Sequence, residues 1–222
     1  MSARKEIFAC LKATLDRVHN PTVRYSGAAQ RILDAGPVLI PERGRAEGPA
    51  KTSLFVSEAE NADADVRRLA DLDQVPGVVH DILRDAEIDT LKVAPHKTLQ
   101  AMDWRSVDVA FGRGEGADHA GLAMAYAGVA ETGTLVMASG PASPTTLNFL
   151  PDVHMVVIRE EDIAANYEEV WARFRCEADP ALPRTVNWIT GPSRTADIEQ
   201  TLLLGAHGPR KLIILLIDAE AS

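Results

Sequence analysis

Two short segments carry side chains able to hold and process a small polar molecule. In Gly128-Val-Ala-Glu-Thr-Gly-Thr-Leu135, Glu131 stands among small residues that leave the backbone accessible. A carboxylate desolvated in a tight apolar turn can exchange a proton with a substrate or attack as a nucleophile. Glu131 is therefore the foremost catalytic candidate, with Thr132 and Thr134 beside it as substrate contacts. The plainer alternative is a carboxylate satisfied by neighbouring N–H groups or by Arg194.

The second segment, Gly191-Pro-Ser-Arg-Thr-Ala-Asp-Ile-Glu199, leaves an apolar run and reads as the opening of a helix at Ser193, Arg194 and Thr195. Exposed N–H groups at a helix start favour an anion, and Arg194 could grip a carboxylate or phosphate through two hydrogen bonds. Ser193, Arg194, Thr195 and Asp197 are accordingly substrate-binding candidates. Here too a structural reading competes: Ser193 or Thr195 caps the helix while Arg194 pairs with Asp197.

Two proline-bearing turns, Ser139–Pro151 and Ala206–Pro209, add hydroxyls, Asn148, His154 and His207. His207 ranks as a catalytic candidate because glycine and proline flank it in a loop, and Asn148 as a substrate contact. His154, beside an apolar strand, ranks below it as a structural residue. Gly112-Arg-Gly-Glu-Gly-Ala117 formally fits a dinucleotide fingerprint, but Arg113 and Glu115 crowd a turn that should approach a pyrophosphate. The six histidines show no metal-ligand spacing, and no Walker, HExxH, GxSxG or CxxC pattern is present. No cofactor or metal is expected on this chain.

The elements that must position these groups follow from periodicity. Ser2 with Ile7, Leu11, Leu15 and Val18 predicts a capped amphipathic N-terminal helix. Pro37–Ala50 reads as a loop or linker, the least ordered part. Helices are expected at Thr52–Asn61, at Val75–Leu83, from Asp162 through Phe174, and at Thr195–Leu204. Strands are expected at Ala64–Arg68, Thr90–Ala94, Val107–Phe111, Thr134–Ala138, Val153–Ile158, Val186–Ile189 and Leu212–Ile217. The last four are apolar enough to be interior strands. This alternation predicts an α/β, Rossmann-like fold, with a mainly parallel sheet, helices on both faces, and functional loops at the carboxyl ends of the strands. The division expected is 1–50, helix and flexible loop, and 51–222, the α/β domain.

Composition bounds the function. With 222 residues and 46% hydrophobic content the chain can bury a sizeable core. A net charge of −9 argues against nucleic acid as partner. No apolar run is long enough for a membrane span or a signal peptide, so a cytoplasmic protein is expected. Cys10 and Cys176 are too few for an ordinary iron–sulfur cluster.

Read together, AGVAETGTLVMASGPASPTTLNFLPDVHMVVI and ITGPSRTADIEQTLLLGAHGPRKLIILLI resemble the lactate utilization protein C family, which carries the LUD domain. The likeness covers about Asp118–Ile217 closely and Lys51–Trp104 in order of elements. It implies a fold related to the sugar-phosphate isomerase and CoA-transferase-like group, in which a glutamate is used catalytically. It also implies two partners in the oxidation of L-lactate to pyruvate: an iron–sulfur protein with its own LUD domain, and a cysteine-rich subunit. The competing expectations are a stand-alone enzyme using Glu131 on a phosphorylated or CoA-linked molecule, and a non-catalytic assembly subunit.

Overall fold

The long apolar runs Val153–Arg159 and Lys211–Ile217 form the middle of a parallel sheet, as their two-sided hydrophobicity requires. They belong to a computed structural model that describes residues 3–18, 39–177, 182–195, 203–204 and 207–219. The chain divides into two units, Met1–Leu39 and Ile40–Ser222. The first contains helix α1 (Ala3–Val18), along which Ile7, Phe8 and Leu11 are exposed. Its expected cap, Ser2, lies outside the described residues.

The second unit begins with a correction. Pro37–Ala50 is not simply a loop: Glu42–Arg45 makes a 3₁₀ turn with Gly44 buried, and Gly48 opens helix α2 (Gly48–Asn61). Pro49 fits that opening because the N–H it lacks has no partner in a first helical turn. There follow β1 (Asp65–Leu69), α3 (Val75–Asp85), β2 (Thr90–Val93), a one-turn α4 (Lys97–Gln100), β3 (Asp108–Phe111) and β4 (Ala120–Met124). Next come β5 (Ala127–Val129), β6 (Thr134–Ala138), β7 (Val153–Arg159), β8 (Ile163–Ala164) and α5 (Tyr167–Glu177). The unit ends with β9 (Val186–Ile189), β10 (Arg194–Thr195), β11 (Leu203–Leu204) and β12 (Lys211–Ile217).

Six of these strands form a wholly parallel sheet in the order β1-β12-β7-β4-β2-β3, giving the expected α/β fold. Thr134–Ala138 and Val186–Ile189, however, are not parallel interior strands. They pair antiparallel in a second sheet, β8-β5-β6-β9, with β9 at its edge. Their apolarity has another source. Leu135 and Met137 face the main core, whereas Val136 faces a smaller cluster with Val129, Val170 and Phe174. Gly128 of β5 lets the two layers meet, since a Cβ there would lie 2.8 Å from Ile158 of β7 and 2.9 Å from Phe55 of α2.

Two helix boundaries also differ from expectation. Asp162 closes a 3₁₀ turn and β8 follows it, so α5 starts at Tyr167. Its cap is Asn166, whose side-chain oxygen accepts from the Glu169 N–H at 3.0 Å. No helix begins at Ser193–Thr195: Arg194–Thr195 pairs antiparallel with Leu203–Leu204. The Ser193 N–H donates to the Pro209 carbonyl at 2.8 Å, which ties this segment to the loop before β12 and keeps it extended. Among the described residues, no helix is long and apolar enough to cross a membrane.

Candidate functional site

A cavity of about 250 Å³ lies where three loops converge: Asn148–Phe149 before β7, His207–Pro209 before β12, and Thr190–Ser193 after β9. His154, Leu212, Trp188 and Ile189 complete its walls. His154 and Leu212 are the second residues of β7 and β12, paired in register, so the site is at the amino ends of these parallel strands. The carboxyl ends were the expected place. Trp188 is held by ring contacts with Tyr167 at 5.1 Å and Trp171 at 5.4 Å between centroids.

The chemistry of this cavity is in its unmet hydrogen bonds. Buried polar atoms are nearly always paired, because an orphaned one costs about 1–3 kcal/mol. Among the described residues four buried side-chain atoms have no partner, and three of them are here: Asn148 Oδ1 and both ring nitrogens of His154. His154 is fully buried, and that burial pushes its pKa down to about 4, so the imidazole is neutral at pH 7. A neutral ring offers one N–H donor and one acceptor. The fourth orphan, Asn187 Nδ2, is on β9.

The residues singled out in the sequence distribute unevenly around this cavity. Asn148, Ser193 and His207 line it, His207 as an exposed ring on the solvent side. Thr134 and Thr132 stand behind it, in a hydroxyl cluster that reaches the cavity through Thr190. Glu131 is buried but does not line the cavity. Its Oε1 is 3.9 Å from Arg43 Nε, and its Oε2 faces Gly44, whose carbonyl accepts from Asn166 Nδ2 at 2.8 Å. Arg194 is turned to Asp63, with which it forms an ion pair, and to the Ala62 carbonyl. The Thr195 side chain and all of Asp197 lie outside the described residues. Among the described residues, no three His, Cys, Asp or Glu side chains converge as a metal-ion donor set.

His154, Trp188 and Thr190 are what sequence reasoning undervalued. His154 looked structural because it opens an apolar strand, and the signal it carried, an imidazole with no polar neighbour in sequence, is also that of a packed core residue. Gly112–Ala117 precedes strand β4 and opens no helix; Gly114 instead lies under Leu147, whose Cα would be 2.9 Å from an added Cβ. A larger hollow of about 610 Å³ lies at the carboxyl ends of β1, β7 and β12, lined by Asp71, Asp73, Arg159, Glu160, Glu161 and Asp218. Several of its charges are paired: Arg68 donates to Asp218 at 2.6 and 2.8 Å, and Arg159 to Glu161 at 3.2 Å. The Thr52 hydroxyl and the Ala219 N–H hold Glu160 below the usual carboxylate range. Among the described residues, three of the four buried side-chain atoms without a partner belong instead to the lining of the smaller cavity.

Comparison with known proteins agrees with this architecture. The LUD domain model matches residues 52–217. An uncharacterised protein of Neisseria meningitidis serogroup B is 43% identical over 100 residues, 44% of this chain and 42% of that one. A lactate utilization protein C of Geobacillus sp. is 35% identical over 91 residues, 40% of this chain and 38% of that protein. The chain thus matches about two fifths of the length of these two relatives. An uncharacterised Escherichia coli protein is 27% identical over 170 residues, 74% of this chain and 72% of its own length. The crystal structure of a DUF162 family protein from Deinococcus radiodurans superposes with a TM-score of 0.57 at 21% identity, covering 75% of this chain and 96% of that one, which establishes a shared fold. With the match running from α2 through β12, and so through both sheets and every wall of the cavity, the chain belongs to the LUD domain family.

Proposed function

We propose that the chain serves lactate utilisation as a substrate-binding component without a redox centre of its own, and that the cavity around His154 and Asn148 holds L-lactate. The observation that carries the reading is His154, fully buried against a cavity with both ring nitrogens unpartnered. About 250 Å³ is just under the usual range of ligand pockets, which suits a metabolite of a few heavy atoms. His154 and Asn148 then meet the hydroxyl end of the molecule, and exposed His207 meets its carboxylate from the solvent side. Several relatives carry the name lactate utilization protein C, which supports the choice of ligand.

Oxidation of L-lactate to pyruvate removes two electrons and two protons, and a side chain without a cofactor cannot accept the electrons. In this reading they pass to an iron–sulfur protein with its own LUD domain and a cysteine-rich subunit, working in the cytoplasm, while this chain orients the substrate. Arg194 acts on the wall by fastening the Thr190–Ser193 loop to the end of α2, while Glu131 holds the Arg43–Gly44 turn.

Titration of the full chain with L-lactate tests the ligand. At a hundred times its dissociation constant a single-site ligand adds about 2.7 kcal/mol, several degrees of melting temperature in a chain of this size. Affinity capture from native cells grown on L-lactate tests the assembly, with co-eluting iron and lactate-dependent dye reduction as the expected result. A chain that ignores L-lactate but is stabilised by sugar phosphates or CoA esters would be a stand-alone enzyme instead.

A further inference from the structure

We infer that Thr190, set by the hydroxyl cluster behind it, makes the cavity select a ligand hydroxyl over a ketone oxygen at the same carbon. This rests on the reading that the cavity takes a small carboxylate oxygenated at C2. Four side-chain hydroxyls meet behind the wall of the cavity. Thr132 Oγ1 is 2.7 Å from Thr134 Oγ1 and 2.8 Å from the Tyr167 hydroxyl, which is 3.1 Å from Thr134 Oγ1. Thr134 Oγ1 is also 2.7 Å from Thr190 Oγ1, and Thr190 lines the cavity.

Each hydroxyl has one hydrogen to donate and two lone pairs. Four contacts therefore consume four hydrogens, one from each residue. Thr190 takes part in only one of the four, so its hydrogen must go there. Were Thr134 to donate to Thr190 instead, Thr132 and Tyr167 would have two hydrogens for the three remaining contacts, and one contact would fail. Thr190 thus donates inward to Thr134, so that all its Oγ1 has left to offer a ligand in the cavity it lines is a lone pair. Asn148 Oδ1, unpartnered and buried, presents a second acceptor.

A cavity in which Thr190 is fixed as an acceptor and Asn148 Oδ1 stands as another is matched by a ligand that brings a hydrogen. The hydroxyl of L-lactate can donate to either. Pyruvate differs only in having a ketone there, which can accept from the His154 N–H as the hydroxyl can but has no hydrogen to give, and so leaves the lone pairs of Thr190 and Asn148 unmet. Leaving these acceptors unmet weakens binding, by about tenfold where the acceptor is buried as Asn148 Oδ1 is. Thr190 is in this way a specificity determinant, and Thr134, which does not line the cavity, is a positioning residue that acts through it.

Dissociation constants of L-lactate and pyruvate, measured by calorimetry on the full chain and three variants, test the inference. The unaltered chain is expected to bind L-lactate about tenfold more tightly than pyruvate. Thr134→Val keeps the shape of the side chain but removes the inward acceptor, so the Thr190 hydrogen is free to turn into the cavity and the preference should collapse towards unity or invert. Thr134→Ser restores the acceptor and should restore the preference. Thr190→Val, at an exposed position, removes one facing acceptor and should also collapse it, which keeps the test decisive if Thr134→Val does not fold. Equal affinities in the unaltered chain, or an unchanged ratio in Thr134→Val or in Thr190→Val, overturn the inference while leaving the lactate reading intact. Failure of both ligands to bind overturns that reading itself.

Discussion

Replacing His154 with leucine is expected to stabilise the fold by about 1–3 kcal/mol at neutral pH while weakening L-lactate binding at least tenfold. The side chains are similar in volume, and leucine lacks the two nitrogens that the folded chain buries without partners. A residue kept only for packing would give the opposite result, since removing a satisfied core side chain destabilises. Opposed changes in stability and binding are the mark of a group retained for a ligand.

The same variant has a pH signature. His154 titrates near ~6.5 in an unfolded chain and at about 4 when folded. Between these values the unfolded chain binds the proton and the folded one does not, so lowering the pH favours unfolding. This contribution is complete above pH ~6.5 and is lost progressively as the pH falls towards 4, and the difference corresponds to roughly 3 kcal/mol. The advantage of His154→Leu over the unaltered chain should therefore widen by about that amount between pH 7 and pH 4. Urea unfolding at several pH values would show it, and two parallel stability curves would refute it.

Gly133→Ala is expected to cost more than about 3 kcal/mol, or to prevent accumulation of folded protein. Gly133 closes the turn after Glu131 with φ of 61°, and an added Cβ would lie 2.1 Å from Ala59 N and 2.5 Å from Glu58 C. These are backbone atoms of α2, which cannot rotate aside. Gly191, with φ of 67°, stands in the same relation to the end of that helix, its Cβ position being 2.0 Å from the Ala62 carbonyl oxygen. Since Gly191 lines the cavity, Gly191→Ala should cost ligand binding as well as stability. Gly77→Ala, in an open position of α3, is the control and should leave the urea midpoint unchanged or slightly raised. Midpoints for Gly133→Ala and Gly77→Ala that coincide would show that the turn relaxes away from α2.

What the sequence showed and concealed can be traced to particular residues. Val75, Val79, Ile82 and Leu83 recur at helical spacing, and all four are buried along α3. The runs of β7 and β12 are apolar because both of their faces are covered, and they were legible for that reason. β4 was not legible. Ala120–Met124 is rich in alanine and glycine, which have low strand propensity, yet it pairs with both β7 and β2. Small residues are required there: a Cβ on Gly121 would lie 2.8 Å from Pro151 and 3.0 Å from Leu147. β6 and β9 were legible as strands but not as antiparallel ones, because a sheet with a core on each side shows no alternation.

The candidate site divides in the same way. Asn148, Ser193 and His207 could be proposed from loops rich in glycine and proline, and they meet in one cavity. His154 needed the structure, because only burial without a partner separates it from an ordinary core histidine. The direction of Glu131 and Arg194 also had to be seen. Each is held by a residue far from it in sequence, Arg43 in one case and Asp63 in the other.

The sheet order has a consequence for the ribosome. Among the described residues β1 has a single neighbour in its sheet, β12, and 148 residues separate Leu69 from its partner Ile217. At roughly 5–20 residues per second of synthesis β1 waits roughly 7–30 s for that partner to be translated. In the last part of that interval β7, by then translated, also lacks one of its two neighbours, and the wall of the cavity formed by Leu212 has not been made. The parallel sheet and the site close together, in a single late event of biosynthesis.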